Sequence, residues 1–104
     1  MRIEWTDPSL ADLAAIRDYI ARDSERYAYQ FVERIIAAVE KLPDFPMMGR
    51  VVPESRGQST TIRELLFQNY RIIYRLRVDR IQIITVLHGA RDLKGMNPKP
   101  WEIV

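Results

Sequence analysis

The hydrophobic period of this chain changes once, and that change limits the folds open to it. Between residues 8 and 42 apolar side chains recur at helical spacing, whereas between residues 61 and 88 they alternate. The two regimes are separated by Pro43-Asp44-Phe45-Pro46-Met47-Met48-Gly49-Arg50, in which neither proline can continue a helix, and further breakers follow at Pro53 and Gly57. Helices first and strands afterwards predict an α+β domain in which the helices cover an antiparallel sheet.

Within that frame, residues 2–6 alternate and predict a short opening strand. Thr6 or Asp7 ahead of Pro8 supplies a helix start, because a side-chain oxygen there accepts from free backbone N–H groups. The first helix is expected from residue 8 to about 22, with Leu10, Leu13, Ile16 and Ile20 on its buried side. Ser24 caps a second helix reaching about Leu42, whose stripe is Tyr27, Phe31, Ile35, Ala38, Val39 and Leu42. Three β-rich runs follow at 61–67, 70–77 and 80–88, turning at Gln68-Asn69 and Val78-Asp79. The predicted order is β-α-α-β-β-β, a helical hairpin packed on an antiparallel sheet.

A turn at Val78-Asp79 pairs Arg75 with Gln82, Ile73 with Ile84 and Arg71 with Val86. Alternation then puts Tyr70, Ile72, Tyr74 and Leu76 on one face with Ile81, Ile83, Thr85 and Leu87, facing the helices. The other face carries Arg71, Arg75, Arg77 and Arg80, interleaved with Ile73, Ile84 and Val86, and ends at His88. Two readings of that face stay open: a solvated surface on which arginine stems cover the aliphatics, or a binding surface. Glu64, on the neighbouring strand, could pair with Arg71 or Arg75 and neutralise it.

Composition narrows the function. At 104 residues and 47% apolar the chain supports one core, read as a single domain over residues 1–104. With no cysteine and one histidine, neither a disulfide framework nor a thiolate metal site is expected, and no cofactor is predicted. No apolar run approaches the roughly 20 residues of a membrane-spanning helix, and residues 1–5 lack signal-peptide character. The expectation is a soluble, cytoplasmic protein. Residues 1–59 hold 8 Lys+Arg against 10 Asp+Glu, and residues 60–104 hold 8 against 4. The basic half hints at nucleic acid or an acidic protein partner. The tail from Gly95, with Met96, Pro98, Pro100 and Trp101, is too proline-rich for a helix. It is expected to be mobile unless Trp101 docks back on the domain or onto another chain.

Three segments carry a resemblance. They are Phe45-Pro46-Met47-Met48-Gly49-Arg50-Val51-Val52-Pro53-Glu54, Ile62-Arg63-Glu64-Leu65-Leu66 leading into Tyr70-Arg71-Ile72-Ile73-Tyr74-Arg75, and Val86-Leu87-His88-Gly89-Ala90-Arg91-Asp92. In this order, after a strand and a helical hairpin, they resemble the ParE/RelE superfamily of toxins from bacterial type II toxin–antitoxin systems. The resemblance runs from Ile3 to about Leu93 and implies two helices on an antiparallel sheet.

It also implies one of two activities. RelE-like members are ribosome-dependent endonucleases that cut mRNA, typically with lysines and arginines on the sheet face and a tyrosine or histidine near the C-terminus. ParE-like members inhibit DNA gyrase and are not nucleases. No lysine lies between Lys41 and Lys94, and Leu87-His88-Gly89-Ala90-Arg91-Asp92 looks like the ParE-like ending. Gyrase inhibition is therefore the expectation, with Arg71, Arg75, Arg91, Lys94, Lys99 and Trp101 as target-binding candidates. The alternative is an mRNA endonuclease built on His88, Arg71 and Arg91, acting with the ribosome. A third reading is a non-toxic module retained for complex formation. The resemblance implies a cognate antitoxin that wraps the toxin in a hetero-oligomer, and Tyr19, Tyr29 and Ile36 on the helical hairpin are candidates to receive it.

Overall fold

The computed structural model describes residues 1–55 and 61–104; the expected breaker at Gly57 lies outside the described residues. The elements are β1 (Arg2–Trp5), α1 (Asp7–Ala21), α2 (Glu25–Val39), β2 (Arg50–Val51), β3 (Ile62–Phe67), β4 (Tyr70–Leu76), β5 (Arg80–His88) and α3 (Pro100–Ile103), with a 3-10 turn at Pro53–Ser55. The predicted order holds, with two additions. β2 extends the sheet beyond β3, and a short α3 forms in the tail, its Pro100 sitting in the first turn where no N–H is needed.

The sheet runs β1-β5-β4-β3-β2. It is mixed rather than purely antiparallel, because β1 pairs parallel to β5, from Arg2↔Arg80 to Trp5↔Ile83. The chain then leaves the sheet at Thr6, whose extended backbone and side chain cap α1 by accepting from the Ser9 N–H at 3.3 Å. Ser24 caps α2 in the same way, accepting from the Tyr27 N–H at 3.1 Å.

The first helix turns differently from the expected stripe. Ser9 faces inward, its hydroxyl donating to the Thr6 carbonyl at 2.7 Å, so Leu10, one residue on, is rotated outward and is 49% exposed. On α2, Phe31, Ile35 and Val39 are buried with Leu42 beyond the helix end, while Tyr27 is exposed and its ring leans on Phe31. The helix-facing core joins these to Leu13, Ile16, Ile72, Tyr74, Ile81, Ile83 and Val86.

A bulge corrects the predicted hairpin register. Tyr74 pairs with Ile83 as expected, but Ile73 pairs with Thr85, Ile72 with Val86 and Arg71 with Leu87, so Ile84 is the extra residue. A one-residue slip exchanges faces. Val86 therefore turns to the helices and Leu87 to the opposite side, and His88 sits edge-on to Tyr70, ring centroids 5.4 Å apart, rather than ending the arginine face.

That opposite face is not a solvated surface. Ile62, Ile73, Ile84 and Leu87 form a second core, covered by Val52 from the loop and by Leu93 and Trp101 from the C-terminal segment. Residues 95–104 thus dock on the sheet, and Trp101 is 2% exposed.

Candidate functional site

The arginine face is an internally satisfied layer. Arg71 is nearly buried between two carboxylates: its Nε donates to Glu64 Oε1 at 2.6 Å and its Nη2 to Glu54 Oε1 at 2.7 Å. Glu64, fully buried, also accepts from Arg50 Nε at 2.6 Å. The Arg71 guanidinium beside Glu54 holds that carboxyl below the usual carboxylate range, and the same pairing raises Arg71 further. The expected neutralisation by Glu64 therefore falls on Arg71. Its sharing with Arg50, supplied by the short β2, had no signal in the sequence.

Arg75 is engaged differently. Its Nη2 donates to the Trp101 carbonyl at 2.7 Å, so it satisfies backbone of the C-terminal segment rather than facing solvent. Burial, and then Arg77 nearby, pull its affinity for the proton down. Arg80 is held by Glu4 and Asp79, and Arg77 reaches Gln82. Lys99 donates to the carbonyls of Lys94 and Met96, each at 2.7 Å. Of the target-binding candidates, Arg71, Arg75 and Trp101 are thus structural in position, and Arg91 and Lys94 remain on the surface. Asp92 accepts from the Gly95 N–H, and no ion pair engages Arg91 among the described residues.

The candidate nuclease trio meets in pairs: His88 and Arg91 line one concavity, His88 and Arg71 a shallower one. His88 is the exposed last residue of β5 and Arg91 lies in the turn beyond it, and His88 Nδ1 accepts from the Ala90 N–H at 3.1 Å. The Arg71 guanidinium is engaged by Glu54 and Glu64.

A groove of about 640 Å³ lies between α1 and the C-terminal segment. Asp12, Ile16 and Tyr19 form one wall, Val86 and His88 the floor, and Arg91, Met96 and Ile103 the far side. Tyr19 alone of the antitoxin candidates lines it, with the Arg22 guanidinium 5.7 Å from its ring centroid. Ile36 lies in a separate shallow depression on α2 beside Glu33 and Arg34. Tyr29 is exposed, its hydroxyl pushed up by a hydrogen bond with Glu33. Tyr29 and Ile36, seven residues apart on α2 and each beside Glu33, thus lie on one face of that helix, and Tyr19 lines the groove on α1. Asp12 was missed, although its spacing from Ile16 and Tyr19 places all three on one side of α1.

Among the described residues no cluster of histidines and carboxylates could hold a metal ion, and no helix is long and apolar enough to cross a membrane.

Both the fold and the sequence place this chain among known proteins. It is 34% identical over 91 residues to toxin RelE2 of Caulobacter vibrioides, covering 86% of this chain and 97% of that one. A structure of the chromosomal ParDE toxin–antitoxin system from P. aeruginosa superposes with a TM-score of 0.69 at 25% identity, over 85% of this chain and 95% of its counterpart. The RelBE2 toxin–antitoxin complex of Mycobacterium tuberculosis shares the fold at 20% identity and a TM-score of 0.53, over 84% and 95%. Residues 3–93, from the opening strand through the β5 end and the Leu93 that seals the second core, match the family described as the ParE toxin of type II toxin–antitoxin systems, and to that family the chain belongs.

Proposed function

We propose that this toxin acts in the bacterial cytoplasm as a non-enzymatic inhibitor of DNA gyrase and is held inactive by a cognate antitoxin in a hetero-oligomer. The observation that carries the reading is the covered arginine face. RNA cleavage needs one group to activate the ribose 2′-OH, another to protonate the leaving oxygen, and cations for the developing phosphorane charge. On this face Arg71 is bound by two carboxylates, Arg75 holds the Trp101 carbonyl, and Leu93 and Trp101 cover the aliphatic residues between them. A phosphodiester reaching these cations would have to displace the Glu54 carboxylate from Arg71 and the C-terminal segment from Arg75. The antitoxin is supported by the neighbouring structures, both of which are toxin–antitoxin systems.

A second reading has one observation in its favour. His88 at the exposed end of β5 and Arg91 just beyond it line one groove, and among the described residues Arg91 has no ion pair, as mRNA cleavage by a histidine-based site would require. Purified toxin added to gyrase supercoiling reactions, and in parallel to translation reactions read by primer extension, separates the two. Loss of supercoiling or trapped cleaved DNA with intact mRNA is expected. Ribosome-dependent mRNA cleavage with gyrase unaffected overturns the proposal, and His88→Ala should then abolish toxicity. Silence in both assays overturns it in favour of a non-toxic module kept for complex formation.

A further inference from the structure

We infer that Arg71 and Arg50 form a seat for a phosphate-type oxyanion, and that Glu54 occupies this seat from within the chain as an autoinhibitory contact. The starting observation is one carboxylate more than the buried charge requires. Glu64 is fully buried and would be costly to leave unpaired, and it accepts from Arg71 Nε and Arg50 Nε, each at 2.6 Å. Those two contacts already satisfy it. Two guanidiniums against one buried carboxylate leave one positive charge over, and Glu54 is the group that cancels it.

The way Glu54 does so copies a phosphate. Its Oε1 accepts from Arg71 Nη2 at 2.7 Å and its Oε2 from Arg71 Nη1 at 3.1 Å, so both oxygens lie along the forked edge of one guanidinium. A phosphate presents two oxygens to that edge in the same manner. Arg50 is a second cation at the seat, near enough to help hold Glu54 in its charged form. Its side chain is 56% exposed, and among the described residues only its Nε is engaged, by Glu64. The two terminal nitrogens of Arg50 are therefore available to an anion that takes the place of Glu54.

The seat opens without disturbing the core. Glu54 lies in the turn Pro53–Ser55, which is pinned where Ser55 donates its hydroxyl and its N–H to the Val52 carbonyl, at 2.7 and 3.0 Å. Val52 and Ser55 are both fully buried, whereas the Glu54 side chain is 23% exposed. It can turn into solvent about its own bonds while the turn and the second core stay in place. Arg75 has no such opening, since the group on it is the Trp101 carbonyl, and moving that backbone lifts the buried indole. An anion binds only the fraction of molecules in which Glu54 has turned away, so its apparent affinity falls by that fraction.

Inorganic phosphate titrated into the purified toxin, against potassium chloride at equal ionic strength, tests this through the thermal unfolding midpoint. Glu54→Ala opens the seat, and phosphate should raise its midpoint at concentrations about tenfold or more below those that affect wild type. Adding Arg50→Gln to Glu54→Ala should remove most of that gain. A labelled single-stranded RNA oligonucleotide without terminal phosphate, followed by fluorescence anisotropy, identifies the source of the anion. Binding by Glu54→Ala marks a seat for phosphodiesters, and a response to inorganic phosphate alone marks a seat for free phosphate or phosphomonoesters. Equal phosphate responses in wild type and Glu54→Ala, no response in either, or a response untouched by Arg50→Gln overturns the inference. Glu54→Gln, which keeps the shape of the side chain, supplies the same comparison if Glu54→Ala does not fold. Gyrase takes no part in these measurements, so their failure leaves the proposed function standing, and inactivity toward gyrase leaves this inference standing.

Discussion

Gly49 shows how one residue can fix a loop. Its N–H donates to Tyr74 Oη at 3.0 Å, the Tyr74 hydroxyl donates to the Pro46 carbonyl at 2.9 Å, and Arg63 Nη1 donates to the Gly49 carbonyl at 2.9 Å. The loop can come this close because Gly49 has no side chain. A Cβ there would stand 2.5 Å from the Glu64 carbonyl oxygen and 2.7 Å from Tyr74 Oη, and the first of these is backbone. Gly49→Ala is expected to cost about 1–3 kcal/mol in urea unfolding, as overpacking does. Tyr74→Phe keeps the fill of the core but strands the buried Gly49 N–H, and is expected to cost about 1–3 kcal/mol. Burial pushes the Tyr74 phenol up, so the hydroxyl remains a donor throughout the neutral range. The sequence shows Gly49 as a chain breaker and Tyr74 as a core residue. It does not show their contact, because the two lie 25 residues apart and meet only through the register of β2, β3 and β4.

At the scale of elements, the helices and strands were legible because each carries a periodic apolar stripe and Thr6 and Ser24 have the chemistry of caps. What escaped were features without a local signature. The bulge at Ile84 sits inside an unbroken run of β-formers, and it exchanged Val86 with Leu87. The parallel pairing of β1 depends on where a four-residue strand lands, which the pattern of four residues cannot specify. The docked tail was hidden by its prolines, although Leu93, Met96 and Trp101 supplied the apolar groups that hold it. Asp12 belongs to this scale too, since its carboxylate substitutes for a strand by accepting from Val86 and Thr85 on β5. Asp12→Ala should uncover the Val86 N–H and lower stability by about 1–3 kcal/mol. The Val86 amide should then exchange faster, while amides of α2 change only with the global equilibrium.

For the whole molecule, the sheet carries an apolar core on each face, one closed by α1 and α2 and the other by the loop and C-terminal segment. Truncation before Lys94 therefore removes part of the second core as well as candidate target contacts, and loss of toxicity in such a chain would report unfolding as readily as a lost interface. Trp101→Ala isolates the packing contribution and is expected to cost about 3–5 kcal/mol. Alongside that apolar cover, Arg71 ties the second layer to the sheet through Glu54, and this link depends on pH. Because Arg71 holds the Glu54 carboxyl below its ordinary range, the folded state favours ionised Glu54 more strongly than the unfolded chain does. The stabilisation is complete above the unfolded-chain pKa and disappears as pH falls through the lower folded value. Arg71, raised further by its carboxylates, stays charged throughout and adds no titration of its own. Glu54→Gln should thus be less stable than wild type at pH 7, and the gap should narrow through the acidic range as wild-type Glu54 takes up its proton. Denaturant unfolding of both proteins from pH 7 to pH 3 measures the gap; a difference that stays constant over that range would mean that Glu54 acts through packing rather than through its charge.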